Sequence, residues 1–112
     1  MSQQALDQTF AALADPTRRA ILARLIEGET RVTDLAEPFD MSLNAVSKHV
    51  RVLERAGLVS RRITGRDHVL KFNGTPLDEA ANLIDHYRDF WTKRLDNLEA
   101  FLTRKGDQKD AR

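Results

Sequence analysis

The chain of 112 residues contains no cysteine. Disulfides, thiolate metal sites and cysteine nucleophiles are therefore excluded together. No apolar run approaches the roughly 20 residues needed to cross a bilayer, so no membrane partner is expected. The opening stretch, MSQQALDQTF, carries neither a basic segment nor an apolar core. No secretory signal is read there, and a cytoplasmic location is the expectation. A phosphate-cradling glycine loop, a nucleophile–base pair, an internal repeat and a low-complexity segment are all missing. Asp85 and Asp89 are the nearest approach to paired carboxylates, and they fall on the expected solvated face of the last helix. The chain is accordingly not expected to be an enzyme, and no cofactor is implied.

What is present is ordinary globular composition, with 41% hydrophobic and 31% charged residues. A chain of this length is one domain's worth and buries roughly two-thirds of its unfolded surface without a metal or disulfide. The net charge of +1 conceals an uneven distribution. Residues 1–41 hold four basic and seven acidic residues, residues 42–72 seven basic and two acidic, and residues 73–112 seven basic and eight acidic. The middle third thus carries a net +5. Such a local patch suits a polyanion that meets one face, although a solvated basic surface has the same composition.

Leu6, Phe10 and Leu13 form one apolar stripe of a first helix. Asp15-Pro16 marks the start of a second, carrying Ile21, Leu22, Leu25 and Ile26 and ending at Gly28. Thr30-Arg31-Val32 reads as a short extended piece, with Thr33 capping a short helix to Phe39. After the Asp40-Met41 turn, Ser42 is the N-cap of a helix that Gly57 stops, with Val46, Val50 and Leu53 on its apolar face. Residues 58–64 and 68–72 are rich in β-branched residues and flank Gly65-Arg66-Asp67, the pattern of a two-stranded ribbon. Pro76 opens the last helix, expected to reach about Leu102, with Leu77, Ala80, Ile84, Tyr87, Trp91, Leu95, Leu98 and Leu102 three or four apart. At about 40 Å that helix is long for a chain whose radius of gyration is about 13 Å. A second copy is the simplest cover for its stripe; burial within one chain is the alternative.

The fold expected is mainly α with a two-stranded β-wing: a winged helix-turn-helix occupying residues 1–102 as a single domain. The helix-turn-helix spans 32–59, the wing 58–73 and the dimerisation helix 76–102, with a flexible tail at 103–112. A short helix, a tight turn and a longer helix, with small Ala36 at the close contact, carry this reading. Leu35, Val46, Val50 and Leu53 then face inward, leaving Ser42, Asn44, Ala45, Ser47, Lys48, His49 and Arg51 for base edges or phosphates of double-stranded DNA. Asn pairs bidentately with adenine, Lys donates to guanine acceptors and Ser suits either bases or phosphate. His49 fits a phosphate contact or a hydrogen bond within the fold. The ribbon adds Arg61, Arg62 and Arg66 beside this surface, with Arg62 and the tip residue Arg66 as the wing contacts, unless the hairpin is purely structural; His68 has no assigned role. A protein-interaction module without DNA binding is the alternative function, weakened by the basic rather than apolar character of the helix surface.

Two blocks carry a family resemblance. FAALADPTRRAIL, from Phe10 to Leu22, and MSLNAVSKHVRVLERAGLV, from Met41 to Val59, resemble the opening and the recognition-helix block of the ArsR/SmtB winged-helix repressors. The resemblance spans roughly Leu6 to Leu102. It implies a homodimer paired through the first and last helices, with Leu6, Phe10, Leu13, Tyr87, Trp91, Leu95 and Leu98 at the interface. It also implies an inverted-repeat operator, often the protein's own promoter, and release by an inducer. Metal-sensing members carry cysteines in the short helix, where this chain has Thr30-Arg31-Val32-Thr33-Asp34-Leu35. Others carry an Asp/His/His/Glu set on the last helix, where this chain has His86 with Asp85 and Asp89. The chain therefore resembles the subset without metal motifs, and no metal is expected. Tyr87, Trp91 and Phe101 either line an inducer cavity at the interface or simply fill it.

Overall fold

A computed structural model describes residues 3–110. Helices α1 (Gln3–Leu13) and α2 (Pro16–Ile26) are followed by a two-residue strand β1 (Thr30–Arg31), α3 (Val32–Ala36), α4 (Leu43–Arg55), strands β2 (Val59–Thr64) and β3 (Asp67–Phe72), and α5 (Thr75–Asp110). The residues divide into a unit ending at Ala80 and a second formed by α5 beyond it.

Local signals set most boundaries. Asp15 caps α2, its carboxylate accepting from the Thr17 and Arg18 amides at 2.8 and 3.1 Å. The Ser42 hydroxyl caps α4 by accepting from the Ala45 amide at 3.1 Å. The far end of α4 closes as a Schellman turn. The Leu58 amide donates to the Leu53 carbonyl and the Gly57 amide to that of Glu54, both at 3.0 Å, while Gly57 takes a φ of +78°. Leu53 and Leu58 are both fully buried beneath that turn. The Asn73 side chain fastens the end of β3 to the same corner by donating to the Gly57 carbonyl at 2.9 Å.

The first unit packs around one core. Ile21, Leu22 and Leu25 of α2 meet Leu35 of α3, Val46, Val50 and Leu53 of α4, and Leu58, Val59 and Leu70 of the sheet. Ala12 of α1 and the partly buried Leu13, Val32, Phe39 and Leu77 complete it. In α5, Pro76 and Ala80 are buried. Along the second unit, Ile84, Tyr87, Phe90, Trp91, Leu95, Leu98, Phe101 and Leu102 are 45–62% exposed.

Three sequence expectations change. The wing is not confined to two strands: β1 adds a third, in the order β1-β3-β2, with Thr30 opposite Leu70 and Arg31 opposite Val69. Thr33 lies inside α3 instead of capping it, and α3 ends at Ala36 rather than Phe39, because Pro38 has no amide to extend the ladder. The last helix starts one residue before Pro76 and continues past Leu102 to Asp110. No proline interrupts it after Pro76, and Lys105 lies over the Phe101 ring at 5.9 Å. Of the expected tail at 103–112, residues 111–112 lie outside the described residues.

Two predictions follow from the caps. Ser42→Ala removes one hydrogen bond from α4 and should cost about 1 kcal/mol in urea unfolding, whereas Ser42→Gly should cost only a few tenths. Asp15 has its carboxyl held below the ordinary aspartate range, foremost by the Arg18 amide and, against some desolvation, by the Thr17 amide and the nearby His49 and Arg18 charges. A lowered folded-state pKa stabilises above the unfolded value and is lost as pH falls through the folded one. The melting temperature of Asp15→Ala should therefore lie below that of the native chain at neutral pH. The gap should shrink on acidification; a gap that grows would contradict the assignment.

Candidate nucleic-acid interface

Burial of Val46, Val50 and Leu53 orients α4 and decides what it shows to solvent. At 100° per residue, Asn44, Ser47, Lys48 and Arg51 fall on the opposite side in one stripe. Asn44, Lys48 and Arg51 are exposed, and Ser47 is half-buried. Among the described residues, none of these four side chains forms a hydrogen bond or ion pair, so their donors remain available. Arg55 extends the stripe by one turn, its Nε 3.4 Å from the Arg51 carbonyl oxygen. Ser42 stands exposed at the helix N-terminus and half-buried Ala45 lies just off the stripe. The first-turn amides of α4 add a partial positive charge at the same end.

His49 belongs to a different cluster. It is half-buried, with Nδ1 3.3 Å from Nη1 of Arg18 on α2. The same guanidinium donates from Nε to the Ala12 carbonyl at 2.8 Å and from Nη2 to that of Ala11 at 2.9 Å. Of the two roles open to His49 in the sequence, the hydrogen bond within the fold is the one with a visible partner. Arg18 thereby joins the end of α1, the start of α2 and the middle of α4.

The hairpin rises beside α4. Gly65 and Arg66 form its two-residue loop, and Asp67, expected at the tip, instead pairs with Thr64. Gly65 takes a φ of +61° and Arg66 a negative one, as in a type II′ turn. The exposed Arg66 side chain has no ion pair among the described residues. Arg62 has one: its Nη2 lies 3.1 Å from Oε1 of Glu29, across an exposed contact. Between hairpin and helix runs a cleft of about 240 Å³, lined by Arg31, Val32, Thr33, Leu43, Ser47, Arg61, Arg66, Asp67 and His68. Arg31 is held there by Asp34 at 2.9 Å and Asp67 at 3.7 Å. The Asp34 hydrogen bond in particular raises its pKa and keeps it charged.

Arg31 and Thr33 are the cleft residues that sequence reasoning missed. They reach it through the pairing of β1 with β3, which no local pattern announces. Arg55 had a local signal, standing four residues after Arg51 on one helix face. On the second unit, His86 lies beside the Tyr87 ring and Asp85 beside Arg88 at 3.6 Å. Among the described residues no group of three or more acidic or histidine side chains is arranged to hold a metal ion, and no helix is long and apolar enough to cross a membrane.

Comparison with known proteins agrees with this architecture. A family model described as a helix-turn-helix domain matches residues 13–62. An HTH-type transcriptional regulator of Mycobacterium tuberculosis is 38% identical over 101 residues, covering 90% of this chain and 92% of the relative. A solved ArsR family transcriptional regulator superposes with a TM-score of 0.78 at 35% identity, over 82% of this chain and 95% of that one. The homodimeric winged helix-turn-helix DNA-binding domain of a possible ArsR-family regulator from Mycobacterium bovis gives a TM-score of 0.62 at 25% identity, over 81% and 84%. With its fold, its recognition-helix block and near full-length similarity all in agreement, the chain belongs to the ArsR family of winged helix-turn-helix transcriptional regulators.

Proposed function

We propose that this chain acts as a homodimeric repressor that binds an inverted-repeat operator, its own promoter among the targets, and works by binding rather than by catalysis. The observation that carries the proposal is the unpartnered stripe on α4. Asn44, Ser47, Lys48 and Arg51 present an amide, a hydroxyl and two cations on one helix face, the chemistry that base edges and phosphates require. Ser42 and the α4 N-terminus suit a phosphate at one end of the stripe, and Arg66 suits the flanking backbone or minor groove. Ala45 offers a methyl for contact with thymine. In the operator complex, Arg62 exchanges Glu29 for phosphate. His49 acts mainly by holding α4 on α2.

The homodimer rests on α5. Tyr87, Trp91, Leu95 and Leu98 lie on a stripe too apolar to be left in water, and a second copy covers it symmetrically. Leu6, Phe10 and Leu13 of α1 join them by the family pattern. Two recognition helices about 34 Å apart then meet successive major grooves, which is why the operator is an inverted repeat. The protein works in the cytoplasm, and an inducer would act at the dimer interface, along whose α5 stripe Tyr87, Trp91 and Phe101 are spread.

Fluorescence anisotropy with a duplex from the chain's own promoter tests this reading. Log Kd should rise steeply with log salt, because bound cations displace condensed counterions. Asn44→Ala and Lys48→Ala should each weaken promoter binding by about 1–3 kcal/mol. Equal affinity for promoter and random duplexes, with no salt dependence, would overturn it. Leu95→Glu with Leu98→Glu should convert a dimer to a monomer in size exclusion with light scattering and reduce operator affinity in parallel. A native monomer at micromolar concentration would remove the dimer from the proposal.

A further inference from the structure

The hairpin and α4 are tied by a polar junction, two members of which, Arg61 and His68, also line the cleft between them. Arg61 of β2 donates from Nε and Nη2 to the two carboxylate oxygens of Glu54 on α4, at 3.2 and 2.7 Å. Its Nη1 lies 2.9 Å from Nδ1 of His68 on β3. Arginine only donates, so His68 accepts at Nδ1 and carries its ring proton on Nε2. One guanidinium thus ties the recognition helix to both strands of the hairpin.

The geometry distinguishes this pair from the other arginine contacts of the hairpin. The side chains of Arg61 and Glu54 are 24% and 28% exposed, against 61% and 44% for Arg62 and Glu29. A forked arginine–carboxylate pair that is largely shielded holds its partners in one orientation, and salt screens it less than an open pair. Glu54 stands seven residues after Ser47, on the flank of α4 that borders the cleft and off the Asn44–Lys48 stripe. Arg61 has its charge neutralised in place, so it is poorly suited to a phosphate. Arg66, five residues further on, has no ion pair among the described residues.

We propose that the Glu54–Arg61–His68 junction is a positioning device for DNA recognition: it fixes where Arg66 stands relative to Asn44 and Lys48. The inference rests on the reading that α4 and the hairpin tip both face DNA. Two contacts on one preorganised body bind together; a hairpin free to swing must lose that freedom on binding, and its contact contributes less. Arg61 and Glu54 are therefore positioning residues that touch no nucleotide.

Electrostatics alone gives the opposite sign, which makes a sharp test. Removing the negative charge of Glu54 beside a polyanion should tighten binding. If the junction positions the wing, Glu54→Gln should weaken it. The experiment is a four-variant cycle, native, Arg66→Ala, Glu54→Gln and the double variant, measured by anisotropy on the promoter duplex and on a random duplex. In the native background Arg66→Ala should weaken promoter binding about fivefold to tenfold, as for one charge-assisted phosphate contact. In the Glu54→Gln background it should cost less than about twofold, the non-additivity expected of coupled residues. Arg61→Lys keeps the charge but loses the fork, and should behave like Glu54→Gln. It serves in its place if that variant does not melt as a folded protein.

Equal Arg66→Ala losses in both backgrounds, or tighter binding by Glu54→Gln, would overturn the positioning role while leaving DNA binding intact. A native chain that does not distinguish promoter from random duplex would overturn the DNA-binding reading and this inference with it.

Discussion

The seating of α4 depends on three side chains, Val46, Val50 and Leu53, each wholly removed from solvent against α2, α3 and the sheet. A helix with a single apolar stripe has one way to bury it, so rotation about its axis is fixed by packing. That constraint turns Asn44, Ser47, Lys48 and Arg51 from four residues into a surface. It also explains the care at the helix ends. Ser42 closes the first turn and the Gly57–Leu58 Schellman turn closes the last, so α4 neither frays nor slides where its register matters.

The arginines divide by what they do for the fold. Arg18 links α1, α2 and α4; Arg61 links α4 to the hairpin; Arg19 donates to the Leu13 carbonyl at 2.7 Å. These guanidinium groups satisfy helix-end carbonyls or a carboxylate. Lys48, Arg51 and Arg66 have no such duty among the described residues. Within the middle third, Glu54 already cancels Arg61 in the net +5, and Arg62 is further engaged by Glu29 from outside that stretch.

The sequence made α4 legible because all its determinants are local. A cap, a stop and a stripe lie within sixteen residues, Ser42 to Gly57. The hairpin was legible for the same reason, through Gly65 between β-branched runs. What escaped was long-range: the pairing of β1 with β3 that brings Arg31 and Thr33 to the cleft, and the contact between Arg18 and His49 across 31 positions. Both depend on how elements dock, which periodicity does not encode. The end of α5 escaped for another reason. Gly106 is the one glycine in it, and a lone glycine weakens a helix without ending it.

The short strand β1 has a mechanical consequence. It braces β3 only at Val69 and Leu70, beside the level of Arg61 and Arg62, and beyond that the hairpin is two strands wide. The wing is therefore a cantilever clamped well beyond its root: the Arg61–His68 contact ties both strands to α4 through Glu54, and Arg31 reaches Asp67 at 3.7 Å, so only the Gly65–Arg66 loop projects past the ties. The length beyond these ties is one two-residue turn, too short to swing as a whole, and the freedom left at the tip is that of the exposed Arg66 side chain. On the proposed DNA-binding reading, so short a lever carries a load at its end with little deflection, which a fixed spacing between Arg66 and α4 requires.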